Sequence, residues 1–479
     1  MQYKWTALTV TAVGTFMSGL DARILVIGLP TVAQQLHASA EEVIWIGQAY
    51  LLAGTVGLLL VGRIADQFGR VKMYNLGFVI FTIGSILSAL AQDSFQLIGF
   101  RVIQGVGFAL IITNSYAIVV DASPKSELGT MLGINQTAIR MGNVAGLTLS
   151  GIILSIVDWR GLFYVNIPIG IFGTIWAYKR LKEISVLDPI KKMDWAGFVL
   201  FSVGLTSALL GITYLSYGAG SAGFGFALLL SGFAFIAAFA RVESKIPYPL
   251  LDLKLFKIRS FAMGGIAQLL NSIVLNAAIV LLAFYFQIGL GYSPLQAGLA
   301  VLPLDATYLA FSLWGGKLSD KYSPQILATV GLVIGTAGLI AMVAFGANTE
   351  YTILAIVIAV IGAGNGIFNP TNTRSIISSV PTNRIGIASG FRQTMFNVGM
   401  TSSYGIAILF LTFGIPYTLL SPLVQGLVPA VSLVSARIEF LDGFRIALIL
   451  LAIINAAAIA PSLMRGKTTS AVVKAKLSQ

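Results

Sequence analysis

The sequence lacks cysteine altogether, has a single histidine, and has few charged residues. Without cysteine the chain can form no disulfide, no thiolate nucleophile and no cysteine-ligated metal site. Because His37 is the one histidine, a Ser-His-Asp triad or a histidine-based metal cluster is hard to build. Only 10% of the residues are charged. An average soluble protein has about 25%, so the composition argues against a soluble protein.

Long apolar runs are what the sequence has in abundance, and 57% of the chain is hydrophobic. The runs are about 20 residues long, the length at which a helix crosses a bilayer core of about 30 Å. They predict an all-α polytopic membrane protein with fourteen transmembrane spans. The spans are predicted at 6–32, 42–62, 73–91, 95–119, 129–156, 160–178, 194–215, 220–241, 261–289, 294–316, 325–347, 351–374, 385–413 and 441–463.

The basic residues predict the orientation of these spans. The net charge of +12 comes from 30 Lys and Arg against 18 Asp and Glu. An even number of spans puts both termini on one side, where 23 of the 30 basic residues then fall, with two on the opposite side and five inside the spans. Because basic loops stay in the cytoplasm, both termini are predicted to be cytoplasmic. The same bias explains the net charge without a nucleic-acid partner.

An internal repeat divides the predicted spans. Residues 105–142 align without gaps on residues 362–399 at an offset of 257, and residues 62–66 match 316–320 at an offset of 254. The identical pairs are Gly105/Gly362, Gly107/Gly364, Pro124/Pro381, Gly129/Gly386, Gly133/Gly390, Gln136/Gln393, Thr137/Thr394 and Gly142/Gly399. Unless this glycine-rich match is a coincidence, spans 1–6 and 9–14 form two six-helix bundles related by pseudo-two-fold symmetry, with spans 7 and 8 as an inserted hairpin. In such proteins the substrate site lies near the midplane between the halves.

The corresponding domains are an N-terminal bundle at residues 1–180, the hairpin with its linkers at 181–245, and a C-terminal bundle with a basic tail at 246–479.

Five stretches, in order, match recurring motifs of one family. They are LDARILVIGLP at 20–30, GRIADQFGRVK at 62–72, RVIQGVG at 101–107, WRGLFYVNIPIG at 159–170 and GYSPLQAGLAVLP at 291–303. The chain resembles the major facilitator superfamily and, within it, the fourteen-helix drug:proton antiporter family. The resemblance implies a secondary active transporter that exports small amphipathic organic compounds or drugs by proton antiport and alternating access.

One motif departs from the family pattern. Where antiporters of the superfamily have G-P-x-x-G-G, this chain reads GLTLSG at 146–151, with Leu147 in place of proline. Because that segment is associated with antiport, an importer, a uniporter or a carrier of lipid-like substrates is the alternative.

Ionisable groups deep inside the spans are expensive and usually mark ion or proton pathways. The resemblance implies that Asp21 and Arg101 are neighbours in a proton-coupling site; a permanent structural ion pair is the alternative. Asp305 is the other deep carboxylate, and can move a second proton or bind a cationic substrate. Arg392 is its predicted partner, and mutual neutralisation is the alternative.

Polar and aromatic residues at helical spacing predict the lining of a central cavity, since they fall on single helix faces in both halves. Interhelical hydrogen bonding or plain packing is the alternative. The predicted lining residues are Met17, Gln104, Tyr116, Gln136, Arg140, Asn143, Gln268, Asn271, Tyr308, Asn365, Asn369, Arg392, Gln393 and Asn397.

The loop after span 2 is predicted to be a cytoplasmic gate, because the resemblance assigns its charged residues to holding one conformation. Asp66 can accept from an arginine or sit at a helix N-terminus, and the glycines permit tight turns. A solvated basic loop is the alternative. The predicted gate residues are Gly62, Asp66, Gly69, Arg70, Lys72 and, in the second half, Asp320.

An enzyme or an ATP-driven pump is not predicted. The loop at 62–72 lacks the G-x-x-x-x-G-K-[ST] spacing of a phosphate-binding loop, and the sequence has no metal-ligand cluster or nucleophile with a base. No cofactor is expected. The expected partners are a small-molecule substrate, protons and membrane lipid, and the chain is predicted to be a monomer of the cell membrane.

Overall fold

In the computed structural model the described regular structure is helical. The structure describes residues 3–124, 127–184, 194–246, 251, 253–380, 385–428 and 430–465. Its α-helices are α1 Tyr3–Leu36, α2 Ala40–Phe68, α3 Arg70–Leu90, α4 Ser94–Ala122, α5 Leu128–Ile156, α6 Gly161–Tyr164, α7 Asn166–Arg180, α8 Trp195–Ser216, α9 Ala219–Glu243, α10 Arg259–Phe284, α11 Pro294–Lys321, α12 Pro324–Met342, α13 Tyr351–Ile377, α14 Ile385–Leu411, α15 Tyr417–Gln425, α16 Ala430–Ala457 and α17 Ile459–Leu463.

The helices confirm the predicted polytopic architecture. Among the described residues, thirteen spans are long and apolar enough to cross a membrane, and α2, bent by 55° between Leu58 and Leu60, makes a fourteenth. Two boundaries were predicted wrongly. α2 continues to Phe68 rather than residue 62, and α16 begins at Ala430 rather than residue 441. Arg437 therefore lies in a helix and not in a loop, since a helix can continue beyond the bilayer core that fixes the apolar run.

Large apolar side chains cover the outer surface of the helices. Phe95, Ile156, Tyr178, Leu230 and Leu313 each expose between 69% and 81% of their surface. A soluble protein rarely exposes apolar side chains on this scale, whereas the hydrocarbon of a bilayer accepts them without cost. The surface agrees with a chain that spans a membrane.

Contacts within the chain divide it into two compact units. Unit 1 consists of Met1–Ser202, Gly291–Leu299 and Ser421–Leu427, and unit 2 of Val203–Leu290, Ala300–Leu420 and Val428–Gln479. Within unit 2, α8 and α9 pack through glycines, because a Cβ on Gly211 would meet the carbonyl oxygen of Gly225 at 2.8 Å. The three-domain division with a separate hairpin stays a prediction.

Both units pack their helices in the register that the repeat predicts. In unit 1 a Cβ on Gly107 of α4 would lie 2.5 Å from the backbone nitrogen of Phe81 in α3. In unit 2 a Cβ on Gly364 of α13 would lie 2.5 Å from the nitrogen of Gly335 in α12. These partners are related by the offsets of 257 and 254 found in the sequence. Coincidence is therefore a poor explanation of the repeat.

Substituting Gly107 with valine is expected to destabilise unit 1. The Cβ alone would force α3 and α4 apart, and overpacking of this kind costs about 1–3 kcal/mol. Gly133→Val is the matched control, because a Cβ at Gly133 has no neighbour within 4 Å. The apparent unfolding temperature in detergent and the folded yield should fall for Gly107→Val only. Equal losses in the two variants would contradict the close approach of α3 and α4.

Candidate functional site

A buried ion pair lies inside unit 1. Nη1 of Arg101 in α4 lies 2.7 Å from Oδ2 of Asp21 in α1. The Asp21 side chain is fully buried and that of Arg101 is 2% exposed. The pair confirms the predicted contact between the two residues, which are 80 positions apart in sequence. At this depth the charges depend on each other, because removing one leaves the other buried without a counter-charge.

Amide groups complete the hydrogen bonds of the carboxylate. Oδ1 of Asp21 accepts from Nε2 of Gln104 at 2.9 Å and from Nδ2 of Asn166, the first residue of α7, at 2.7 Å. Gln104 also accepts from Nη1 of Arg101 at 2.6 Å and donates to the hydroxyl of Ser85 in α3 at 2.8 Å. Four helices of unit 1 therefore supply the groups of one network.

Aromatic rings hold the guanidinium of Arg101. Its central carbon lies 4.3 Å from the centroid of the Tyr50 ring and 5.7 Å from that of Phe163. A cation over a ring face is attracted by the ring quadrupole, by up to about 2 kcal/mol where water is excluded. The rings thus stabilise the arginine in its contact with Asp21.

The hydrogen bonds of the network converge on the Asp21 carboxylate. Both oxygens of Asp21 accept hydrogen bonds, three in all, from Arg101, Gln104 and Asn166. Bonds donated to a carboxylate, and a neighbouring positive charge, favour its ionised form. A role of Asp21 and Arg101 in proton coupling stays a prediction.

Sequence reasoning missed several members of this network. Asn166 lies within the stretch at 159–170 that matched the family, but no role was predicted for it, and Ser85, Tyr50 and Phe163 were not singled out. Asn166 is a polar residue in a predicted apolar span, which is the signal that can mark it. Its contact with Asp21, 145 positions away, depends on helix packing that periodicity alone does not define.

The equivalent positions of unit 2 are apolar. A Cβ on Gly84 would meet the backbone of Gln104, and a Cβ on Gly338 would meet Ile361 in the same way, so Ile361 is the counterpart of Gln104. A Cβ on Gly142 would meet the carbonyl of Phe16 and one on Gly399 the carbonyl of Leu269, which makes Val274 the counterpart of Asp21. The offset of 257 makes Ile358 the counterpart of Arg101. All three counterparts are buried. The ionisable network therefore belongs to one repeat only.

Unit 2 has a network of neutral amides instead. Nδ2 of Asn271 in α10 donates to Oδ1 of Asn365 in α13 at 2.9 Å, and Asn455 of α16 donates to the hydroxyl of Thr336 at 2.9 Å. Asn372 donates to Oε1 of Gln268 at 3.0 Å. The predicted polar faces of α10 and α13 thus bond to each other, as the interhelical alternative expects. A cavity-lining role for these residues stays a prediction.

The other predicted lining residues are distributed over both units. Arg392 donates to Oε1 of Gln393, which donates to Asn397 at 3.0 Å, so the polar stripe on α14 is internally bonded. The fully or largely buried side chains are Met17, Tyr308, Asn369, Arg392 and Asn397, and the half-buried ones are Tyr116, Gln136, Arg140, Asn143 and Gln393. The pairing of Asp305 with Arg392 stays a prediction.

A proline can break a membrane helix, and Pro303 stands two residues before Asp305, but α11 is unbroken there. α11 continues from Pro294 to Lys321 with Pro303 inside it. The hydroxyl of Thr307 donates to the carbonyl of Pro303 at 2.8 Å and to that of Ala359 in α13 at 2.8 Å. The bond to Ala359 fastens α11 to α13, and membrane helices tolerate an internal proline.

The predicted gate forms an ion-pair cluster at the junction of α2 and α3. Arg70 donates to Asp66 at 3.1 Å and to Asp121, at the end of α4, at 2.6 Å. Asp121 was missed, since its role depends on the approach of α4. Gly69 has φ +104°, which confirms the predicted turn. Gly62 does not form a turn, because α2 continues through it.

The remaining predicted gate residues are Lys72 and Asp320. Lys72 is exposed in the first turn of α3. Asp320 lies in α11, and its side chain is outside the described residues.

The stretch that replaces the antiporter motif still packs closely on α1. A Cβ on Gly146 of α5 would lie 2.5 Å from the carbonyl oxygen of Leu20, and one on Gly142 would meet the carbonyl of Phe16. Leu147 is buried. Small residues permit such close helix contacts, so α5 keeps its close approach to α1 without the proline.

The chain has membrane-spanning helices in two units that repeat the same motifs, and one unit has a buried ionisable network. Internal repeats of this kind are typical of secondary transporters. The profile of the Major Facilitator Superfamily matches residues 11–404, which is most of the chain. The chain belongs to the major facilitator superfamily and is a transporter, not an enzyme.

Relatives and solved structures agree with this assignment. The chain is 31% identical to the riboflavin transporter RibZ of Clostridioides difficile, over 83% of this chain and 86% of that protein. It is 27% identical to the tetracenomycin C resistance and export protein of Streptomyces glaucescens, over 85% and 75%. A bacterial homolog of the human lysosomal transporter Spinster, in an inward-facing and unoccupied conformation, has the same fold, with a TM-score of 0.66, 15% identity, and coverage of 99% and 98%.

Proposed function

We propose that the chain exports small amphipathic organic compounds by exchanging them for protons through alternating access. The observation that supports this most is the buried Asp21–Arg101 network. Its carboxylate accepts three hydrogen bonds, from Arg101, Gln104 and Asn166. A transporter driven by protons needs one group whose proton affinity differs between its two conformations, and Asp21 is suited to be that group.

Protonation of Asp21 would couple the proton to the transport cycle through Arg101. When Asp21 is ionised, Arg101 remains paired with it; when a proton neutralises Asp21, the arginine loses its counter-charge and its strongest acceptor. The proton therefore shifts the balance between conformations by the difference in free energy between a paired and an unpaired buried arginine. The Arg70 cluster with Asp66 and Asp121 would stabilise one of those conformations at the predicted cytoplasmic end.

Export as the direction is supported by the close packing of α5 on α1 and by relatives named for resistance and export. In this proposal the chain works as a monomer in the cell membrane, with both termini in the cytoplasm. Protons and the substrate are its ligands, and the surrounding lipid is its solvent.

A second candidate is an importer, a uniporter or a carrier of lipid-like substrates in the same superfamily. Two observations favour it. Leu147 replaces the proline of the antiporter motif, and the riboflavin transporter of Clostridioides difficile is 31% identical. In this case the Asp21–Arg101 pair would be a permanent structural ion pair.

Purified protein in liposomes distinguishes the two candidates. With an imposed pH gradient, a neutral amphipathic dye should accumulate against its own gradient, by up to about tenfold per pH unit for a one-to-one exchange. Collapsing the gradient with a protonophore should abolish accumulation and leave downhill exchange intact. If transport is the same with and without the gradient, proton antiport is rejected and the uniporter is favoured.

A further inference from the structure

Arg465, two residues after α17, is buried without a hydrogen-bond partner among the residues that the structure describes. Its side chain is 2% exposed, and its Nε and both Nη atoms are buried without a hydrogen-bond partner among the protein atoms. Burial lowers the pKa of Arg465 to about 10. Buried polar groups are nearly always hydrogen-bonded, and a buried charge is nearly always paired. An arginine in this state is suited to bind an anionic ligand that is not part of the protein.

The surroundings of Arg465 favour a negative ligand. The end of α17 is bonded to the first turns of α12, because Nε2 of Gln325 donates to the carbonyl of Leu463 at 2.7 Å and the hydroxyls of Thr329 and Ser462 lie 2.8 Å apart. α12 begins at Pro324, and the Ser323 side chain does not cap it. First-turn N–H groups have no acceptor within their helix, and the helix dipole makes this end positive.

Basic residues add to the positive charge of this end of the helices. Lys254 and Lys257 precede α10, Arg259 begins it, and Lys321 ends α11 three positions before α12. The positive-inside bias places all of them, with Arg465, at the cytoplasmic face. Lipid phosphate groups lie at that face, and free phosphate reaches it from the cytoplasm.

We propose that Arg465 is the main ligand of a phosphate-binding site at the N-terminus of α12. A guanidinium presents five donors in a planar fork that matches two phosphate oxygens, and a helix N-terminus adds peptide N–H donors. The phosphate neutralises the buried charge and fastens the end of the last helix to α12. The site is independent of the proton network in unit 1.

Thermal unfolding of the purified full chain in detergent tests the site. The first arm compares sodium phosphate with sodium chloride at equal ionic strength. The second arm adds phosphatidylglycerol or a diacylglycerol with the same acyl chains, which lacks the phosphate. Saturating ligand should raise the apparent unfolding temperature by about 3 °C. A response in the first arm identifies free phosphate as a ligand, and a response to phosphatidylglycerol alone identifies a lipid headgroup.

Two variants test whether the rise in unfolding temperature depends on Arg465. Arg465→Gln should lose the rise in unfolding temperature. Arg241→Gln, which removes an exposed arginine at the end of α9, should keep it. Arg465→Gln responding as the wild-type protein does would overturn the proposal. If Arg465→Gln does not fold, the measurements on the wild-type protein are the test. A wild-type protein whose unfolding temperature rises in neither arm also overturns the proposal.

Discussion

Replacing Asp21 with asparagine is expected to abolish proton-driven accumulation of substrate while leaving downhill exchange. Asparagine has nearly the same shape and can still accept from Arg101 and Gln104, but it cannot bind and release a proton. Substrate exchange that no longer moves a proton is not driven by the pH gradient. In liposomes with a gradient of one pH unit, the accumulation ratio should fall from up to about ten to about one.

Two further carboxylate variants make this result specific. Asp442→Asn is the control, because Asp442 is 55% exposed and pairs with Arg445 on the surface of α16. It should accumulate substrate as the wild-type protein does. Asp305→Asn tests the second deep carboxylate. If Asp305→Asn loses accumulation and Asp21→Asn keeps it, the coupling group lies in unit 2 and the assignment to Asp21 is wrong.

Replacing Arg101 with glutamine is expected to cause a large loss of stability. The change leaves Asp21 buried without its counter-charge, and breaking a buried pair from one side costs about 3–5 kcal/mol. The double variant Asp21→Asn, Arg101→Gln removes both charges and should recover most of that loss. The two substitutions should therefore be strongly non-additive, as expected of residues in one network.

The surface pair supplies the matched control for this cycle. Arg445→Gln breaks an Arg–Asp contact of 3.0 Å whose side chains are 43% and 55% exposed. Because neither side chain is enclosed by the protein, breaking this pair leaves no charge buried in the protein core, and the loss of stability is expected to be smaller. Urea or thermal unfolding in detergent measures all five proteins, namely the wild type, Asp21→Asn, Arg101→Gln, the double variant and Arg445→Gln. If Arg101→Gln is no less stable than Arg445→Gln, or if the double variant is as unstable as the sum of its parts, the buried pair does not have the role given to it.

Much of the fold could be predicted because the physics of a membrane acts on each span separately. An apolar run of about 20 residues must become a helix, since no other backbone structure satisfies its hydrogen bonds in lipid apart from a closed barrel. The repeat was predictable because close helix contacts require glycine, and glycines such as Gly107 and Gly364 recur at a fixed offset. The structure places both at the contact that the alignment implies.

The partners of the site residues were harder to predict, because they depend on tertiary packing. The pair of Asp21 and Arg101 was inferred from a family resemblance and not from spacing. Asn166 completes the same network from α7, and Asp121 completes the gate cluster from the end of α4. No local pattern marks either contact. Helix ends were also uncertain, because polarity near Arg437 was interpreted as a loop although the helix continues through it.

Proton movement coupled to substrate tests the central claim most directly. Liposomes that contain the protein and a pH-sensitive dye are given substrate on one side, without an imposed pH gradient. With the wild-type protein, protons should cross in the direction opposite to the substrate, in a fixed ratio to it. With Asp21→Asn the substrate should still exchange, and no protons should cross with it. If the Asp21→Asn protein moves as many protons per substrate molecule as the wild-type protein, Asp21 is not the proton-coupling group.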